Sequence, residues 1–216
     1  MMGDFRNIRE ILLDLFHRQR SLTNNQKLPE YDRMFQDFPP MDSDEKIRNL
    51  MDEKKGLITD FCNSNEFLYL PPLDQDPKVV PILLFDCDLT KTINDVTFVI
   101  VLFRFMDGSD THESIAFRFE GPEGTNVDKS RHNYWHMQVT NKITGRKGYQ
   151  KHICQKWLPD KMPCIPIISQ GPVSLLLCML YSFYGMRMFE YIRSDTMNTL
   201  EKRHFESLKP ILAGCC

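Results

Sequence analysis

The chain has 216 residues, 27 Lys and Arg against 29 Asp and Glu, and a formal net charge of −2. Hydrophobic residues make up 42% and charged residues 26%, ordinary values for a globular chain. These figures exclude a wholly disordered chain, a collagen-like repeat, a small disulfide scaffold and a polyanion binder driven by gross positive charge.

Residues 1–75 read as a helical N-terminal segment. Phe5, Ile8, Ile11, Leu12, Leu15 and Phe16 recur at three- and four-residue spacing and form one apolar stripe, with Asp4 as the expected N-cap. The polar run Ser21–Lys27 breaks the pattern and Pro39-Pro40 closes the connection. A second helix follows, capped by Ser43, with Ile47, Leu50, Met51, Leu57 and Ile58 on its buried side. Pro71-Pro72 marks a boundary, after which residues 76–216 read as an α+β domain, the whole forming one compact unit.

Beyond that boundary the period becomes strand-like. Val79–Leu89 and Val96–Met106 are rich in Val, Ile, Leu and Phe. Phe98–Phe103 is apolar at every position, which predicts a central strand covered on both faces. Ser114–Glu120 alternates, placing Ile115, Phe117 and Phe119 against Ala116, Arg118 and Glu120. His132–Thr140 is the fourth strand, so the expectation is an antiparallel sheet of about four strands. Prolines 159, 163, 166 and 172 keep the following chain extended. Val173–Arg193 is an apolar core helix that packs on the sheet, with Pro172 in its first turn. A last amphipathic helix uses Met197, Leu200, Phe205, Leu208 and Ile211.

The start of the chain, with Asp4, Arg6, Arg9 and Glu10, lacks the basic tip and apolar run of a secretory signal. The apolar stretch Leu175–Tyr184 is short for a hydrocarbon core of about 30 Å, so no membrane span is expected. Seven cysteines without a C-x-x-C pair read as reduced thiols, and the expected location is cytoplasmic. Cys178 reads as a small core residue. Cys215-Cys216 has the form of a doubly prenylated end, yet no phosphate-binding G-x-x-x-x-G-K-[ST] accompanies it; a frayed tail is the plainer reading.

Strand alternation groups the polar residues. His132, Tyr134, His136 and Gln138 share a face of one strand, Arg118 and Glu120 a face of its neighbour, and Asp86 and Asp88 a face of the first. A metal or acid–base site could be built from Glu120, His132 and His136, with Arg118 holding phosphate, as a metal-dependent hydrolase or nuclease requires. Against it, H-x-x-x-H on a strand separates the Cα atoms by four rises of about 3.3 Å each. That spacing needs ligands from other strands, and the H-E-x-x-H zinc motif is absent. The alternative is a polar network that satisfies itself. A second possible reaction centre is Cys154 beside His152, two residues apart on an extended chain, without an identifiable orienting residue.

Charge is uneven along the chain. Residues 1–128 sum to −10, whereas residues 129–161 carry eight Lys and Arg against Asp160 alone. The basic segment comprises Lys129, Arg131, Lys142, Arg146, Lys147, Lys151, Lys156 and Lys161, interleaved with Tyr134, Trp135, Tyr149 and Trp157. Cations attract phosphate and aromatic faces stack on bases, which suits single-stranded nucleic acid. The same surface suits an acidic protein partner, or acts only as a solvated hairpin.

The stretch Phe117-Arg118-Phe119-Glu120 followed by His132 to Gln138 resembles small uncharacterised bacterial proteins that carry an Arg-aromatic-acid strand and then paired histidines, some of them toxin or defence components. The resemblance covers about residues 114–140 and implies no established reaction. Glu120–Thr125 and Cys154 resemble ubiquitin-conjugating enzymes, but the His-Pro-Asn tripeptide before the cysteine is missing. The expected function is therefore a non-catalytic subunit or adaptor of a bacterial multi-protein complex such as a defence system. It would contact a protein, or nucleic acid, through Lys129, Arg131, Tyr134, Trp135, Lys142, Arg146, Lys147, Lys151 and Trp157. The alternative is the metal-dependent hydrolase or nuclease. The sequence names no cofactor.

Overall fold

A computed structural model describes residues 2–25, 29–37, 39–49, 67–73, 78–87, 96–105, 112–122, 134–140 and 165–200. Among them three helices come first: α1 (Met2–Asn25), α2 (Pro29–Asp37) and α3 (Glu45–Asn49). Strands β1 (Leu68–Tyr69), β2 (Val79–Cys87), β3 (Val96–Phe105), β4 (His112–Glu120), β5 (His136–Thr140) and β6 (Ile165–Pro166) follow. The core helix α4 (Pro172–Tyr184), a 3-10 turn (Gly185–Arg187) and α5 (Met188–Tyr191) come next, and residues 194–200 are helical.

The six strands form one antiparallel sheet in the order β1-β2-β3-β4-β5-β6. The expected α+β class with terminal helices stands, but the sheet has six strands rather than four. The two additional strands, β1 and β6, are edge pieces of two residues. Two residues are too few for alternation to show, and β1 falls inside the stretch that reads as helical. The expected strand 132–140 is shorter in the structure, where β5 begins at His136.

Central β3 is covered on both sides: Phe98, Val99, Ile100, Val101 and Phe103 are all buried. Its even-numbered residues face a core made with α1 and α4, to which Ile11, Leu12, Leu15, Phe16, Leu176 and Leu180 contribute. Phe183 of α4 meets Phe117 of β4 edge-on, with ring centroids 5.3 Å apart. The odd-numbered residues Val99, Val101 and Phe103 face a second core with Val80, Ile82, Leu84, Ala116 and, from α2, Tyr31 and Met34. Helix α2 lies where only a connection was expected. Pro29 at its start and Tyr31, Met34 and Phe35 at i, i+3 and i+4 are the sequence signal for it, compressed into nine residues. Ser43 caps α3 as expected, accepting the Glu45 amide at 3.2 Å.

The expected single helix 173–193 is broken at Gly185. Its φ of 53° ends α4, and its N–H donates to the Tyr181 carbonyl, so a left-handed residue terminates the helix where glycine tolerates it. The run Pro172–Tyr191 is 20 residues long with mean hydropathy 1.2, sufficient for a membrane span by length and composition alone; 56% of that window is buried within the fold.

Edge strand β1 is tied in by side chains from three helices. The Gln19 amide of α1 donates to the Met41 carbonyl and its oxygen accepts the Tyr69 N–H, each at 2.8 Å. Leu70 N–H donates to the Pro81 carbonyl at 2.9 Å. In an antiparallel ladder residue 81 would return a bond to the Leu70 carbonyl, but proline has no N–H. The Tyr31 hydroxyl of α2 supplies that missing donor. Burial holds Tyr31 well above the ordinary tyrosine range, so the hydroxyl keeps its proton. Tyr184 at the end of α4 donates to the next carbonyl, Pro71, at 2.7 Å. Tyr31→Phe keeps the ring and leaves the Leu70 carbonyl unsatisfied. We expect a loss of about 1–3 kcal/mol in urea unfolding with an unchanged slope.

Candidate functional site

The register brings the expected polar groups to one face of the sheet. Glu120 of β4 is opposite His136 of β5, and Arg118 opposite Gln138. Thr97 of β3 is opposite Glu120 on its other side, and Asp86 of β2 is opposite Thr97. Strand pairing alone thus aligns residues 86, 97, 120 and 136 in one row across four strands. The row lies on the α2 side of the sheet, away from α1 and α4, because Phe117, Phe119 and Met137 take the other face.

Glu120 is the hub. Its Oε1 lies 3.0 Å from Arg118 Nε and accepts the Thr97 hydroxyl at 3.4 Å. Its Oε2 lies 3.3 Å from His136 Nε2. The arginine and histidine contacts are ion pairs by distance, with angles away from the hydrogen-bond ideal. His136 is only 1% exposed. Its Nδ1 meets the carbonyl of Tyr134 at 3.0 Å, and the two rings stand edge to face at 5.6 Å. A carbonyl accepts only, so Nδ1 carries a proton; with Nε2 on a carboxylate, both ring nitrogens are best used as donors, which is the imidazolium form.

The electrostatics agree. The Glu120 contact raises the His136 pKa above its ordinary 6.5, against burial, which lowers it. The Tyr134 carbonyl and the Glu120 charge add to the rise, and Arg118 opposes it. One carboxylate sits between two cationic side chains, with both of its oxygens and both imidazole nitrogens in contact. It can hold β4, β5 and the Tyr134 turn in register. To bind an ion, Glu120 and His136 would first have to release each other. No group of three or more His, Cys, Asp or Glu positioned to hold a metal occurs among the described residues.

Of the expected site residues, Arg118, Glu120 and His136 meet as the alternation requires. Tyr134 and Trp135 precede β5 instead of lying within it. Tyr134 is 37% exposed and Trp135 packs partly against the main core. His132, Lys129, Arg131, Lys142, Arg146, Lys147, Lys151 and Trp157 lie outside the described residues, as do Asp88, His152, Cys154 and the Cys215-Cys216 end. Thr97 is the contributor that sequence reasoning missed. Its signal was its place as the one polar residue in the apolar run 96–103. Cys178 donates its thiol to the Ile168 carbonyl at 3.4 Å, and burial pushes its pKa up to about 11, so it is an unreactive thiol.

A histidine whose pKa rises on folding stabilises the native state most below its unfolded value, and that contribution disappears as pH climbs through the native value. Unfolding free energy should therefore fall as pH is raised from the ordinary histidine value of about 6.5. In His136→Gln the decline should be shallower; an equal decline in both proteins would assign it to other groups. Comparison with protein-family models, with curated proteins and with solved structures gives no match for this chain.

Proposed function

We propose that this chain is a non-catalytic binding subunit, an adaptor in a bacterial cytoplasmic multi-protein assembly such as a defence system, whose partner presents an acidic protein surface. The observation that carries the reading is at the β5–β6 edge. Ile165 and Ile168 are 51% and 75% exposed there, and Tyr134 stands exposed at the start of the neighbouring strand. The basic segment is covalently attached at the same place. Lys129 and Arg131 precede β5, and Lys142, Arg146, Lys147, Lys151, Lys156 and Lys161 fill the connection from β5 to β6. Exposed aliphatic and aromatic side chains, in strands whose flanking sequence is rich in cations, suit a partner with apolar anchors in an acidic surround.

Pro166 bears on how such a partner docks. Ile167 N–H donates inward to the Trp135 carbonyl at 3.0 Å, so in the alternating ladder the backbone of residue 166 turns outward. Proline puts no N–H on that outward position, which disfavours addition of a seventh strand. Docking by side chains is the mode the edge permits.

The polar row supports a structural role for Glu120 and His136 rather than the hydrolase reading, because both Glu120 oxygens already have contacts with Arg118, Thr97 and His136. Affinity capture from native bacterial cells tests the proposal. The unaltered chain should retain a stoichiometric acidic protein. Ile165→Asp with Ile168→Asp should abolish retention, and Arg146→Glu with Lys147→Glu should weaken it about tenfold with a flatter salt dependence. Retention of nucleic acid instead, lost in the Arg146/Lys147 variant, would replace the protein partner; a chain recovered alone would end the adaptor reading.

A further inference from the structure

Strand β6 hangs on the first residues of β5. Its two register pairs are Pro166 with His136 and Ile165 with Met137. Beyond them, Ile167 N–H donates to the Trp135 carbonyl at 3.0 Å. Pro166 has no N–H to add. The carbonyl just before that acceptor, Tyr134, is the one that meets His136 Nδ1 at 3.0 Å. Two successive carbonyls of the chain entering β5 are thus held in turn, the first by an imidazole and the second by the backbone after β6.

The same imidazole reaches β4, where Nε2 lies 3.3 Å from Glu120 Oε2. Its two nitrogens therefore face two groups that only accept, a carbonyl and a carboxylate. The imidazolium has a donor for each. A neutral imidazole has one N–H, and the bond to a carboxylate is the stronger, so that proton stays toward Glu120. Nδ1 then turns a lone pair to the Tyr134 carbonyl, and an attraction becomes a repulsion. His136 is buried, so water cannot take over the contact unless the turn moves. Among the described residues, the charged groups facing His136 are Glu120 and Arg118, both from β4. Strand β3 brings Thr97, β5 brings Gln138 with Tyr134 just before it, and β6 brings Pro166. Asp86 lies in the same row on β2, three strands away.

We infer that His136 is a proton-operated latch on the β5–β6 edge: the imidazolium holds the turn at Tyr134 and with it β6, and loss of its proton releases both. Its use rests on the docking reading, because Ile165 in β6 and Ile168 just after it form the surface that loosens; the latch itself needs no partner.

Amide hydrogen exchange, followed by NMR on the full chain from about pH 5.5 to about pH 9, tests the latch with no partner present. The His136 ring shifts give its titration, and the Ile167 amide, corrected for the intrinsic exchange rate at each pH, gives the closure of the edge. Ile167 protection should fall about tenfold as His136 loses its proton, with one shared midpoint. The Leu70 amide at the opposite edge, which donates to the Pro81 carbonyl, should keep its protection. Glu120→Gln removes the carboxylate that raises the His136 pKa, so both midpoints should move to lower pH together. In His136→Gln the Ile167 profile should show no step. The latch is overturned if Ile167 protection is flat through the His136 titration of the unaltered chain, or if Leu70 falls in step with it. It is also overturned if the same step persists in His136→Gln. A flat Ile167 profile would leave the adaptor reading standing, whereas a chain recovered alone from cells would end that reading and leave the latch.

Discussion

The fold depends on how the backbone of a two-residue edge strand is satisfied. Strand β1 cannot hold itself by ladder bonds alone, since it pairs β2 at Leu68 and Tyr69 and then meets a proline across the sheet. Gln19, Tyr31 and Tyr184 complete it. These side chains come from α1, α2 and α4, so the same few polar groups that finish the sheet also fix three helices on it. A buried carbonyl or amide without a partner is costly, and that cost gives the arrangement its specificity. The apolar contacts of either core could tolerate a small slide of a helix; a tyrosine hydroxyl seated on one carbonyl cannot.

Much of this was legible in the residues, for physical reasons that differ by element. The helical stripe Ile8, Ile11, Leu12, Leu15 and Phe16 is buried as the period requires, and the unbroken apolar run of β3 is covered on both faces. Alternation correctly placed Arg118 and Glu120 on one face and His136 and Gln138 on another strand's matching face. What stayed hidden was local brevity. Strands β1 and β6 are shorter than one alternation, and α2 is just over two turns with a proline at its start. The break at Gly185 was visible as a glycine inside an apolar helix, but the hydrophobic pattern on either side masked its left-handed geometry.

The polar row shows that residue types alone do not say whether a side chain is already engaged. Glu, His and Arg on one sheet face suggest chemistry, yet the decisive quantity is whether their charges are already answered. Here one carboxylate meets an arginine, an imidazole and a threonine hydroxyl within 3.4 Å. Such a cluster fixes strand register. Ile165 in β6 and Ile168 just after it have no such internal explanation, and the proposed docking surface rests on them.

The meander has a consequence for the order in which the molecule assembles. Every strand neighbour in the sheet is also a neighbour in sequence, and β2, β3 and β4 are joined by connections of 8 and 6 residues, so the centre of the sheet needs little long-range search. The helices behave oppositely. Asp14 reaches Arg193 across 179 residues, and Gln19 reaches Tyr69 across 50. A chain emerging from synthesis can therefore pair its central strands early, while the part of one face that α4 covers remains open. That face waits for α4, among the last elements to be made, to meet α1, among the first. The interval between those events is the period in which the nascent protein is most exposed to aggregation.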